Sequence, residues 1–136
     1  MASTRILILS CLLMLAGCAV REQAIYADQL AGAVNVVAAE LGDRYEREGR
    51  ALLDDAESRA EAEALLDGLR DRWAPVWAAL RGFASVHGAW VSALEQGEAG
   101  GPDVVQAVVD AWCAFEVMVV GAGETMAPLV ACEGRR

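Results

Sequence analysis

From Ile25 onward, apolar residues recur at Leu30, Val34, Val37, Leu41 and Tyr45, with Leu52 beyond. This is the three-and-four spacing of one face of an α-helix. The opposite face carries acid-first pairs four residues apart, Glu40 with Arg44, Asp43 with Arg47 and Glu46 with Arg50. Each such pair supports a helix by about 0.2 to 0.5 kcal/mol. The pattern falters after Leu52, and Ser58 followed by Glu61 reads as a capping box that starts a new helix. Two readings stay open here: a hairpin of two helices, or one helix continuing to about Trp73 and reaching roughly 75 Å. For a compact domain the hairpin is the preferred reading.

The strongest periodicity runs through Trp73, Val76, Trp77, Leu80, Phe83, Ala84, His87, Trp90, Val91 and Leu94. A stripe of this kind must face another helix. Pro75 falls inside it and disfavours helical geometry at Ala74, which predicts a bend or a helix boundary at positions 73 to 75. The segment from Gly97 to Gly101 is the clearest loop, with Pro102 placed for the first turn of the next helix and Asp103 favourable to its dipole. That helix continues through Val104, Val105, Val108, Val109, Trp112, Phe115 and Val119 to about Val120, and Gly121 and Gly123 are expected to stop it. Its end is apolar on most sides through Val117, Met118, Val119 and Val120, so either the tail from Met126 to Cys132 folds over it or a partner does. Helix formers dominate and Pro stands only at positions 75, 102 and 128. The predicted fold class is all-α, a small bundle of three to four helices.

Ahead of this body, Arg5 precedes an apolar run from Ile6 to Ala16, broken only by Ser10 and followed by small residues. Charge, apolar core and small residues in that order are the layout of a secretory signal peptide. A permanent span needs about 20 apolar residues, and this run is shorter. The four residues Leu15-Ala16-Gly17-Cys18 resemble a bacterial lipobox. In the lipoprotein class the resemblance implies a thioether-linked diacylglycerol on Cys18, cleavage before it, and acylation of the new amino group. In enterobacterial lipoproteins an Asp after the lipidated cysteine favours the inner membrane. Ala19 stands there in this chain, which by that resemblance implies the outer membrane, facing the periplasm. The expected organisation is a leader at 1–17, a lipidated N-terminus with a short tether at 18–23, and a helical periplasmic domain at 24–136.

Composition bounds what such a body can do. Removing residues 1–17 takes one Arg from the 11 and leaves ten against 20 Asp plus Glu. A surface with that acid excess is a poor partner for nucleic acid and for anionic headgroups. The leader also takes Cys11, and lipid occupies Cys18, leaving Cys113 and Cys132 in a compartment that permits disulfides. Joined, they close a loop of about 20 residues. Separate, they are small buried hydrophobes.

Reaction chemistry is hard to assemble from the remaining residues. His87, the one histidine, lies on the Trp stripe with no acid within four positions, and no Glu-x-x-His spacing exists for a metal. Cys113 has apolar neighbours, which suppress thiolate formation. A glycosidase carboxylate pair would need a cleft that a domain of this size hardly provides, and Gly97 to Gly101 lacks the residues of a phosphate loop. The expectation is a non-catalytic structural or interaction module with no cofactor, with Trp77, His87, Trp90 and Trp112 as candidate partner contacts. The rival expectations are a phage or prophage envelope lipoprotein, acting in superinfection exclusion or as a spanin-like subunit, and a carrier of apolar ligand or lipid between the helices. Spanin outer-membrane subunits tend to be Pro-rich, a feature that three prolines do not reproduce.

Overall fold

The computed structural model describes residues 2–125 and Cys132, with side chains from Cys18 onward. Three helices follow in order: α1 Ala2–Asp55, α2 Arg59–Glu95 and α3 Pro102–Gly121. The chain is an all-α bundle in which α2 is central and packs against both α1 and α3.

The hairpin reading holds at Ser58. Its side chain accepts a hydrogen bond from the Glu61 amide at 3.2 Å, while the Glu61 carboxylate accepts from the Glu57 amide at 2.9 Å. The first satisfies an amide that the opening turn of α2 would otherwise leave without a partner, and the second ties the residue before the cap back to that turn. The other helix ends use glycine. Gly97 and Gly123 adopt φ of 80° and 84°, the left-handed geometry that ends a helix with two crossed backbone bonds. At α2 these are Glu98 to Ala93 and Gly97 to Leu94, and at α3 Glu124 to Val119 and Gly123 to Val120. Gly121 is thus the last residue of α3, and Gly123 alone makes the turn.

Three expectations are corrected. Of the two outcomes predicted at positions 73 to 75, a bend or a boundary, the boundary does not occur: α2 runs through Pro75, because both Asp71, whose carbonyl loses its partner, and Pro75 are exposed, and water can serve that carbonyl. The buried stripe keeps its phase on both sides, with Trp73 and Val76 fully enclosed. Residues 18–23 are no tether either, since they form part of α1, and Val20 packs against the core. Ile25 is 52% exposed, and Ala27 takes the inward position.

The core follows the three-and-four alternation on every helix: Ala27, Leu30, Val34, Val37 and Leu41 from α1, Leu69, Trp73, Val76, Phe83, Trp90 and Leu94 from α2, and Val108, Trp112, Phe115 and Val119 from α3. Of the three anticipated charge pairs on α1, Glu46–Arg50 forms at 3.1 Å. Arg44 instead crosses to the far side of the bundle, where it meets the Glu124 carboxylate at 3.0 Å and the Thr125 carbonyl at 2.9 Å. A second crossing joins Glu48 of α1 to Arg72 and to the Trp73 indole of α2. These bonds tie α1 to α2 and to the end of α3.

Candidate functional site

Cys18 is exposed on α1, and the body begins to hold the helix almost at once. Gln23, five residues on and about 7.5 Å along the axis, reaches the loop between α2 and α3. Its side-chain oxygen accepts from the Trp90 indole at 3.1 Å and from the Gly100 amide at 2.8 Å, and its nitrogen donates to the Gly100 carbonyl at 2.9 Å. Glycine is required at 100 because a Cβ there would stand 2.8 Å from the Trp90 ring nitrogen. The start of the body is therefore clamped to the far end of α2. Replacing Gln23 with Ala strands the Trp90 and Gly100 donors, and the expected cost is about 1 to 3 kcal/mol. Thermal denaturation reads this, and an unchanged melting temperature would show that water replaces the clamp without loss.

His87 lies beside this clamp. Its Nε2 is 2.9 Å from the Ala27 carbonyl, which can only accept, so Nε2 carries the proton. The ring stacks on Phe83 and meets Trp90 edge-on. A space of about 570 Å³ beside it, between α1 and α2, is walled mainly by small residues including Ala24, Ala31 and Gly88, with Asp28 and Glu95 at its rim.

The proposed partner-contact tryptophans do not form a surface. Trp90 is 1% and Trp112 0% exposed, so both belong to the core and neither can meet a partner. The reason is the stripe itself, whose centre line Trp73, Val76, Phe83, Trp90 and Leu94 turns inward once α1 and α3 flank α2, while Trp77 and His87 lie at its edge and Ala84, expected on it, is exposed. Trp77 is only partly buried, stacked on Trp73 with centroids 5.5 Å apart and set edge-on against Tyr45. Trp77 and His87 are the two candidates that keep some access to solvent.

Cys113 and Cys132 form a disulfide with Cα atoms 5.6 Å apart, fixing the end of the chain to the middle of α3. Of the anticipated tail over α3, residues 126–131 lie outside the described residues. Beside the disulfide is a groove of about 670 Å³ floored by Ala114, Val117, Met118 and Val120. Val117, Met118 and Val120 are 49%, 39% and 60% exposed. This apolar space is on the outside of α3, whereas the interior between the helices is filled by Trp73, Trp90, Trp112, Phe83 and Phe115. Closing a loop of about 20 residues contributes roughly 3 kcal/mol in the chain-entropy model. Urea denaturation of oxidised and reduced protein should differ by about that amount, and coincident midpoints would contradict it.

Sequence periodicity missed Gln23, Glu48 and Gly100. The first two sit among charged neighbours that look like solvated helix surface, and only the loop glycines around position 100 hinted at a close approach. Among the described residues no group of three or more His, Cys, Asp or Glu could hold a metal ion. No family model, curated protein or solved structure matches the chain.

Proposed function

We propose that this protein is a lipoprotein, held to a bacterial outer membrane on its periplasmic side by acyl chains on Cys18, and that its helical body is a non-catalytic interaction module. The observation that carries this reading is the lipobox-like run Leu15-Ala16-Gly17-Cys18 within α1, directly before the stretch of that helix that packs on the core from Val20 onward, with its cysteine exposed. Cys113 and Cys132 are paired, which leaves Cys18 as the free thiol among the residues whose side chains are described. A disulfide also suits an oxidising compartment.

The reactive groups that could have suggested catalysis have other engagements. The Cys113 sulfur is bonded, and the His87 ring is stacked with its Nε2 on a backbone carbonyl. What the surface offers instead is apolar: Val117, Met118 and Val120 form a contiguous exposed patch on α3, and contiguous apolar patches mark interaction surfaces more often than scattered residues do. Intact mass spectrometry of detergent-extracted protein, beside the Cys18→Ser chain, tests the reading. The expected mature species lacks residues 1–17 and carries acyl mass at Cys18.

A further inference from the structure

We propose that α1 lies along the membrane surface, with Cys18, Ile25 and Val36 as one lipid-facing line. The proposal rests on acylation of Cys18. At 3.6 residues per turn, Ile25 follows Cys18 by about two turns and Val36 by about five, so the three side chains leave the helix in nearly one direction. Ile25 and Val36 are 52% and 59% exposed, more than any other large apolar side chain described on α1. The packed face of the helix, Ala27, Leu30, Val34, Val37 and Leu41, points away from this line. Gly32 and Ala39, also exposed, lie close to the same line and let the backbone come near a flat partner.

The occupant is a lipid surface because the line begins at the acylated residue. From Cys18 to Gln23 the chain is helical, and Gln23 is bonded to Gly100, so only about one and a half helical turns separate the anchor from the clamped body. Acyl attachment also holds the helix at high effective concentration over the bilayer, where two aliphatic side chains suffice for a contact too weak to form from solution. Charges on and near the line are of both signs, Arg21, Arg47 and Arg50 with Glu22, Glu40, Asp43 and Asp54. That mixture fits a zwitterionic headgroup layer and gives no preference for an anionic one. An upright α1 would instead carry Asp55 about 55 Å away from the bilayer surface.

The test uses acylated protein in phosphatidylcholine vesicles, with nitroxide labels on Ile25→Cys, Val36→Cys and, as a solvent reference on α2, Ala78→Cys. Acylation and the disulfide occupy the native thiols, so each label is unique. Electron paramagnetic resonance compares collisions with oxygen, which concentrates in lipid, and with a water-soluble nickel chelate. A several-fold higher oxygen-to-nickel ratio at both 25 and 36 than at 78 is the expected result. Lipid contact at 25 with water contact at 36 means an upright helix and overturns the proposal, as does water contact at both. Dipolar broadening between labels at 36 would show a second copy on this face, and also overturns it. Intact mass of the same samples separates these failures from loss of the anchor: an unacylated Cys18 removes the proposed function itself.

Discussion

On the proposed acylation, the Cys18→Ser chain should lose its acyl mass and its normal processing, and once freed of its leader it should leave the membrane. Serine offers an oxygen where the thioether forms, so no diacylglycerol is attached and the cut before residue 18 has lost its substrate. Each methylene buried in the bilayer contributes about 0.8 kcal/mol, so two or three acyl chains dominate any other attraction this body has for lipid. The unprocessed chain still carries the apolar run from Ile6 to Ala16, which can itself hold a precursor on the membrane. A second chain removes that ambiguity: the body from residue 18 onward, with the same serine, exported behind an ordinary cleavable leader. It should fractionate with soluble periplasmic proteins. Its melting temperature should match that of the acylated protein in detergent, because Cys18 is exposed and forms no disulfide. Unaltered processing of the first chain, or membrane residence of the second after a salt wash, would remove the anchor from the account.

Much of the fold could be read from local spacing, and what could not be read was non-local. The three-and-four alternation identifies the inward face of each helix because burial acts on every turn in the same way, which is why Leu30, Val34, Leu41, Trp73, Phe83, Trp112 and Val119 are all found inside. Ser58, Gly97 and Gly123 were visible because capping is local chemistry, completed within a few residues. The clamp was not. Gln23 and Gly100 are 77 positions apart, and a glutamine beside Arg21 and Glu22 carries no mark distinguishing it from solvated surface. The helix boundary allowed for at Pro75 does not form for a related reason: the local cost is real, but packing of Trp73 and Val76 on either side keeps the helix continuous. The candidate site divides in the same way. The resemblance to a lipobox rests on a contiguous motif, whereas whether a tryptophan faces a partner or the core depends on where two other helices lie.

That division gives the largest expected stability effects in the body. Trp90→Ala and Trp112→Ala should each cost about 3 to 5 kcal/mol, the range for emptying a buried aromatic site. Against a total of roughly 5 to 15 kcal/mol for a domain, either loss brings the fold close to its limit. Alanine alone does not distinguish the two positions, and phenylalanine does. The Trp90 indole donates to Gln23, so Trp90→Phe loses a hydrogen bond as well as volume, about 1 kcal/mol beyond the packing change. The Trp112 ring nitrogen is buried with no hydrogen-bond partner, so Trp112→Phe gives up volume but also relieves an unsatisfied donor. Both rings sit among aromatic neighbours, Trp112 between Phe83 and Phe115 and Trp90 between Tyr26 and His87, so each accepts a smaller ring by similar adjustment. Urea denaturation should therefore rank Trp112→Phe as the milder change, within about 1.5 kcal/mol of the parent, and Trp90→Phe as the more severe. If the order is reversed, the Gln23 bond contributes nothing net, and the clamp beside the anchor is held by ring packing alone.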